Sequence, residues 1–176
     1  RIGSLTKSPD VEEAVGVDIG KPGLEYGRKN FPTVSFVEAS LDSIPFQNDH
    51  FDLVYSIDVV EHLEDPITSI KEFYRVCKPG GFVFIQTPNY PIKRFYDLWR
   101  WMRGRNSTLA DDPTHIHPFN PFQLKSMVSE TGGQIVHFLS RNILLIKRLP
   151  NYEKILETSL GICLGQKTII VFQKEK

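Results

Sequence analysis

The feature that most constrains the fold is a strand–helix–strand pattern between Phe51 and Gln86. Phe51–Ile57 and Gly81–Gln86 are short runs rich in Val, Ile and Phe, as parallel strands covered on both faces usually are. Between them, apolar residues recur at helical spacing over Asp65–Cys77, which predicts an amphipathic helix capped by Asp65 and stopped by a turn at Lys78–Gly81. This order is a βαβ unit, so the sequence predicts an α/β fold with a mainly parallel sheet.

Other segments extend the same pattern. A helix is predicted over Phe122–Thr131, with Asn120 as N-cap, Pro121 at its first position and glycines at its end. Further short apolar runs bounded by turn residues predict additional strands. These runs are Ala14–Ile19, Val34–Ala39, Gln134–Leu139 and Thr168–Gln173.

Residues 89–120 depart from the alternation of strands and helices, because this segment is rich in prolines, aromatic side chains, histidines and cations. Within it, Ile92–Arg103 is predicted to be an amphipathic helix, followed by a loop over Gly104–Pro113. We expect three residues of its apolar stripe, Leu98, Trp99 and Met102, to pack on the sheet. The basic and aromatic composition of residues 92–105 is also compatible with peripheral contact with a membrane.

Composition narrows the function classes. The chain has 176 residues, enough for one domain with a substantial core. Its 21 basic and 21 acidic residues leave a formal net charge of zero, which argues against nucleic-acid binding by bulk charge. The sequence contains no apolar run of about 18 residues, and its two cysteines lack metal-ligand spacing, so we expect a cytoplasmic protein.

Ligands of open α/β sheets bind beyond the carboxyl ends of the strands, which selects the residues to consider. Asp18 ends the first strand and is followed by Ile19 and Gly20. A carboxylate there suits the two hydroxyls of a ribose, although a solvated acid at a strand end is an equal alternative. The segment Ala39–Phe46 follows the second strand, where Ser40 and Leu41 suit contact with an adenine, or the segment is an ordinary surface loop.

Three histidines are candidates for a general base, because imidazole titrates near neutral pH. His62 follows the third strand, where a structural hydrogen-bonded role is the main alternative. His115 and His117 alternate along the chain, so both rings face the same way if the segment is extended. They are compatible with a substrate-facing base, with a loop anchor or, together with Asp111 and Asp112, with a metal pair. We assign no metal site.

The order and spacing of these motifs resemble those of the class I S-adenosylmethionine-dependent methyltransferases. The segments that carry the resemblance are Asp18, SLDSIPF, FDLVYSIDVVEHLEDP, RVCKPGGFVFIQTPN and HPFNPFQLKSMVSETGGQIV. The closest likeness is to the small-molecule group that includes the ubiquinone-biosynthesis enzymes. The resemblance implies a Rossmann-like methyltransferase fold with a mainly parallel sheet. The last strand of this sheet, Thr168–Gln173, is inserted antiparallel.

The resemblance also implies residue roles. Asp18 and Ile19 match the turn that holds the cofactor ribose, Ser40 and Leu41 match the pair at the adenine, and Ser56 and Ile57 match the loop beside the methionine part. Residues 89–120 fall where the family inserts a substrate-recognition or lid segment in its single domain, here residues 1–176. The implied reaction is transfer of the S-adenosylmethionine methyl group to an oxygen or nitrogen of a small-molecule acceptor. His117, His115 and His62, in that order, are the candidate bases.

Two departures from the family pattern stand out. Family members often carry Asp where this chain has Ser40. The family also has a strand and a glycine-rich turn upstream of the acid, a location that falls at or before Arg1 here, and Arg1–Lys7 resembles the end of the helix that follows them. Since the chain opens without methionine, we expect a truncated chain that lacks the first strand.

Two other functions remain open from the sequence. A non-catalytic binding or scaffold domain would keep the fold after losing the cofactor loop. A nicotinamide-dependent dehydrogenase would also place an acid after its second strand. The PFQNDHFDLVYS and HLEDP stretches have no role in a dinucleotide site, which disfavours the dehydrogenase.

Overall fold

The computed structural model describes residues 11–104, 116–141 and 158–176. The chain divides into two compact units, Arg1–Phe46 and Gln47–Lys176, and each is considered by itself. The predicted single domain with an insertion at 89–120 stays a prediction. The segment Arg1–Lys7 and most of the predicted loop Gly104–Pro113 lie outside the described residues.

The first unit is a small βαβ arrangement. Strand β1 (Val15–Asp18) and strand β2 (Ser35–Glu38) pair in parallel, with Asp18 opposite Glu38, and helix α1 (Lys21–Asn30) connects them. Both strands therefore end at the same edge, as the sequence predicted. Gly27 lets α1 lie close to the pair, because a Cβ atom there would come 2.4 Å from the Phe36 ring.

The second unit contains a mixed four-stranded sheet. Strands β3 (Phe51–Ile57), β4 (Cys77–Pro88), β5 (Gln134–Arg141) and β6 (Lys167–Gln173) lie in the order β3-β4-β6-β5. Strands β3 and β4 are parallel, whereas β6 is antiparallel to both of its neighbours. The prediction that the last strand is inserted antiparallel is confirmed. The sheet core consists of residues such as Val83, Ile85, Ile170 and Phe172, each fully buried.

Helix α2 (Pro66–Val76) begins and ends as predicted. The carboxylate of Asp65 accepts hydrogen bonds from the Thr68 backbone N–H, at 3.0 Å, and from its hydroxyl, at 2.7 Å. The turn predicted at Lys78–Gly81 is wrong, because these residues already belong to β4. The positive φ of Gly80 lets the strand bulge while the Gly80 N–H donates to the carbonyl of Lys174, so the sheet continues through the glycines.

Helix α3 (Tyr90–Met102) forms near its predicted position, but its apolar stripe faces outward. Leu98 and Met102 are 42% and 63% exposed, so the expectation that they pack on the sheet is wrong. Half-buried Trp99 instead lies under the guanidinium of Arg103, 4.2 Å from the ring centroid. The reason is that other positions of α3 face inward, as described below. A membrane contact through residues 92–105 stays a prediction.

Two helices complete the second unit. Helix α4 (Pro121–Ser129) has the predicted Asn120 cap, whose side chain accepts from the N–H groups of Phe122 and Gln123. Helix α5 (Ser159–Leu164) precedes β6 and had no sequence prediction. Among the helices of the described ranges, none has the length and apolar character needed to cross a membrane.

Candidate active site

The first unit places Asp18 at the exposed carboxyl end of β1, on a tight glycine turn. The Gly20 N–H donates to Asp18 Oδ1 at 2.7 Å. A Cβ atom at Gly20 or Gly23 would lie 3.2 or 3.1 Å from a carboxylate oxygen, so glycine permits the chain to fold closely around the acid. Each carboxylate oxygen can accept more than one hydrogen bond, which leaves capacity for ribose hydroxyls. Ile19 beside it is 73% exposed.

The loop after β2 is a compact turn whose polar groups face outward. Ser40 is exposed, its Oγ accepts from the Asp42 N–H at 3.3 Å, and its carbonyl accepts from the Ser43 N–H at 3.2 Å. Leu41 is half-buried, and Ile44 closes the loop underneath with 7% exposure. Its exposed hydroxyl and partly exposed leucine therefore fit the predicted contact with an adenine. Together with the Asp18 turn, the residues present fit an adenosine cofactor.

In the second unit, β3 ends in a polar segment that leaves the sheet sharply. Ser56 is 6% exposed and its Oγ has no hydrogen-bond partner, whereas Ile57 is 40% exposed. The backbone of Asp58 has a φ of 55°, in the left-handed region, while its N–H still donates to the carbonyl of Gln86 at 2.9 Å. This conformation turns the chain off the sheet into a short 3₁₀ helix, Val60–His62.

A cavity of about 310 Å³ lies where these elements meet. It opens beyond the carboxyl ends of β3 and β4, the position at which α/β sheets bind ligands. The segments that line it are the turn after β3, the 3₁₀ helix, the end of β4, helix α3 and the start of β6. Its lining residues are Asp58, Glu61, His62, Pro88, Lys93, Tyr96, Asp97, Gln166 and Lys167.

Both lysines of the cavity are already paired with carboxylates. Lys167 donates to Asp58 Oδ2 across the strand ends, and Lys93 donates to Asp97 Oδ2 at 3.0 Å, one helical turn along α3. These contacts neutralise the cations that an anionic ligand would otherwise meet. They also explain the orientation of α3, because Lys93, Tyr96 and Asp97 form its inward face while the apolar stripe lies outside.

Glu61 is the most unusual residue of the cavity. It is fully buried, and its Oε2 accepts from the hydroxyl of Thr87 at 3.1 Å, whereas its Oε1 has no hydrogen-bond partner. Burial raises the pKa of the Glu61 carboxyl, and the nearby charge of Asp58 raises it further. Hydrogen bonds from its own backbone and from Thr87, and the proximity of His62, oppose this pKa shift without reversing it.

Asn89 holds together the frame of the cavity. Its buried side-chain amide donates to the carbonyls of Ile162, Cys163 and Gly165 at 3.3, 3.1 and 2.8 Å. Its backbone N–H donates to the carbonyl of Gln166. One residue at the end of β4 therefore fixes the segment that carries Gln166 and Lys167 to the cavity wall.

The structure distinguishes among the predicted bases. His62 lines the cavity and is half-buried. His117 does not line it: its Nε2 lies 3.2 Å from the Glu64 carbonyl oxygen, and its ring stacks on Phe119. His117 therefore ties its loop to the 3₁₀ segment, the loop-anchor alternative, and His115 lies outside the described residues. Within the described ranges, no cluster of three or more His, Cys, Asp or Glu side chains could hold a metal ion.

Sequence reasoning missed the polar residues that define this cavity. The sequence assigned no role to Glu61, Asn89, Lys93 or Lys167. A usable signal was present for Glu61, because an acid among the apolar residues Val59, Val60 and Leu63 has few ways to remain solvated.

Comparisons with known proteins agree with this architecture. A family model described as a methyltransferase domain matches residues 3–85. The demethylmenaquinone methyltransferase of Chlorobaculum tepidum is 34% identical over 100 residues, covering 54% of this chain and 41% of that protein. The ubiquinone biosynthesis O-methyltransferase of Vibrio cholerae is 28% identical over 131 residues, covering 69% of this chain and 52% of that protein. The chain thus spans about half the length of these curated relatives.

Solved structures show the same fold. The crystal structure of a Bacillus halodurans protein described as a methyltransferase superposes with a TM-score of 0.66 at 18% sequence identity, covering 96% of this chain and 85% of that one. Its low identity supports the architecture alone. The matched residues 3–85 include Asp18 and β3, so the sequence similarity covers both segments. The chain is thus similar to S-adenosylmethionine-dependent methyltransferases, in agreement with the resemblance that the order of its motifs indicated.

Proposed function

We propose that the protein transfers a methyl group from S-adenosylmethionine to an oxygen or nitrogen of a small-molecule acceptor. The observation that carries this proposal is the cavity beyond β3 and β4, which contains a fully buried carboxylate with an unpartnered oxygen. A scaffold domain has no use for such a group, since an unsatisfied buried polar atom is costly. The similarity to methyltransferases suggests the reaction class.

The cofactor assignments extend from the first unit. Asp18 would accept hydrogen bonds from the ribose hydroxyls, Ile19 would cover the sugar, and Ser40 with Leu41 would contact the adenine. The exposed glycine turn and the exposed Ser40 support these roles. In the second unit, Ser56 and Ile57 remain the predicted neighbours of the methionine part. When bound, S-adenosylmethionine supplies an electrophilic methyl group on a sulfonium.

The second unit would bind and orient the acceptor. Tyr96 and Pro88 offer apolar surface to a small molecule, and the complete burial of Glu61 keeps water from its carboxylate. In methyl transfer, such positioning and dehydration account for much of the rate enhancement. A proton-accepting side chain is needed when the acceptor is a hydroxyl.

The relatives point to the chemistry of the acceptor. Two of them are named for menaquinone and ubiquinone biosynthesis, which supports a quinone-related small molecule here. A single ring is compatible with about 310 Å³, at the lower end of the range of typical ligand pockets. A bulky acceptor would have to leave much of its structure outside this cavity.

Calorimetric titration with S-adenosylhomocysteine tests the cofactor assignment. The wild-type chain is expected to bind, and Asp18→Ala is expected to weaken binding by about 1–3 kcal/mol, because hydrogen bonds to a charged acceptor are lost. Glu25→Ala, an exposed acid on α1, is the matched control and should leave the affinity unchanged. Equal affinities of Asp18→Ala and wild type would show that Asp18 does not hold the ribose.

A further inference from the structure

The cavity of the second unit contains buried acceptor atoms that have no donor. Two of its carboxylate oxygens, Glu61 Oε1 and Asp58 Oδ1, are buried without a hydrogen-bond partner. The two lysines of the cavity cannot supply these hydrogen bonds, because Lys167 already pairs with Asp58 Oδ2 and Lys93 with Asp97. Buried polar atoms in proteins are almost always paired, so a ligand that brings donor hydrogens would complete this site.

The charges of the cavity disfavour an anion. A carboxylate or phosphate entering it would face Glu61 and Asp58 and would find both lysines already neutralised. A neutral hydroxyl fits better, because it brings a hydrogen to Glu61 Oε1 without carrying a net charge into a buried place. A neutral amine would also fit by shape, but its lone pair needs no base before it attacks.

We propose that Glu61 is the group that binds the acceptor hydroxyl and takes its proton, so that the acceptor atom is oxygen. This inference rests on the proposed function and deepens it. The acceptor is accordingly a neutral, ring-sized molecule with a phenol-like hydroxyl, held against Tyr96 and Pro88. Glu61, rather than a histidine, is then the catalytic base.

The step balances without another reactant. The acceptor oxygen forms a bond to the methyl carbon as the sulfonium–methyl bond breaks and its electron pair returns to sulfur. The O–H bond breaks and its proton passes to Glu61 Oε1. The products are the methyl ether, S-adenosylhomocysteine and protonated Glu61, which returns its proton to solvent after product release.

The surroundings of Glu61 suit a proton acceptor. Asp58 lies on the preceding turn, His62 follows on the 3₁₀ helix, Lys93 and Asp97 face the cavity from α3, and Lys167 faces it from β6. Because both lysines are paired, burial and Asp58 dominate and the pKa of Glu61 is raised. A carboxylate with a raised pKa is a stronger base than an exposed one.

The first test needs no ligand. A carboxyl whose folded pKa is raised stabilises the fold below its unfolded pKa, near the ordinary value of 4.5, and loses that contribution as the pH rises through its folded pKa. Urea unfolding should therefore show wild type losing stability relative to Glu61→Gln as the pH rises above 4.5. A constant difference between the two across this range would overturn the proposal.

The second test uses phenol as the probe, titrated calorimetrically in buffers of different ionisation heat. Wild type should bind phenol in the millimolar range, as suits a ligand of so few atoms. Between pH 4.5 and the raised folded pKa of Glu61, where the carboxyl is still partly protonated, binding should release protons as Glu61 ionises to accept the hydroxyl. Glu61→Gln should release none. Glu61→Asp keeps a carboxylate and should retain proton release with weaker binding, and Glu64→Gln, an exposed neighbour, should match wild type.

The outcomes separate this inference from the proposed function. S-adenosylhomocysteine affinity should be unchanged in Glu61→Gln, so cofactor binding is measured independently of the base. If phenol does not bind wild type at tens of millimolar, if Glu61→Gln releases the same protons, or if aniline binds with equal proton release, the assignment of Glu61 to a hydroxyl acceptor is wrong. Loss of S-adenosylhomocysteine binding in wild type would instead contradict the proposed function.

Discussion

Asp18 and Glu61, the carboxylates proposed for the cofactor and the acceptor, both follow strands but are held in opposite ways. Asp18 of the first unit stands at an exposed strand end, and the contacts that shape it come from Gly20 and Gly23. Glu61 of the second unit is fully buried, and its partner Thr87 lies 26 residues away. The exposed acid can bind a solvated sugar without cost to the fold, whereas the buried one depends on the packing around it.

This difference predicts how substitutions affect the stability and the ligand binding of each site. A site made by a local turn should tolerate side-chain changes, because few other contacts depend on it. A site at the junction of distant segments should lose stability and binding together when any one segment moves. Three substitutions test this contrast, and they are given in order of decreasing effect on the free energy of unfolding.

The largest effect is expected at Gly165, before β6. A Cβ atom there would lie 1.5 Å from the Ser140 Oγ and 3.0 Å from the Arg141 carbonyl oxygen, so the backbone must shift to accept it. Gly165→Ala should lower the free energy of unfolding by about 3 kcal/mol, measured by urea denaturation. Gly165→Ala with Ser140→Gly removes the closest clash and should recover part of the loss. A stable single variant would show that this segment is loosely packed.

Asn89→Ala should have the next largest effect. It removes the amide that donates to three carbonyls at the end of α5, leaving buried acceptors unpaired at a cost of about 2 kcal/mol. Thermal unfolding gives the comparison with Asn120→Ala, which removes an exposed helix cap and should cost about 1 kcal/mol. If Asn89→Ala were the milder of the two, Asn89 would not hold the cavity frame.

The same contrast explains what the sequence could predict. Strand and helix positions were predictable because short apolar runs and caps such as Asp65 and Asn120 are local signals. Asp18 could be proposed for the same reason, since it ends a short apolar run and is followed by Ile19 and Gly20. The cavity was not, because Glu61, Lys93 and Lys167 meet only through tertiary packing. The inward face of α3 was not predicted, because the buried face of a helix is inferred from the spacing of its apolar residues. In α3 it is the polar side that faces the cavity.

Asp18→Asn should have the smallest effect on stability. The asparagine Oδ1 can still accept the Gly20 N–H, the position is exposed, and the turn is supported by the two glycines. We therefore expect the free energy of unfolding to change by less than about 0.5 kcal/mol, as at most surface positions, while S-adenosylhomocysteine binding weakens because the charged acceptor of the ribose hydroxyls is lost. Urea denaturation and calorimetry on the same preparation measure both quantities. A destabilisation as large as that of Asn89→Ala would mean that Asp18 is a structural residue, and the contrast between an exposed local site and a buried distributed one would not hold.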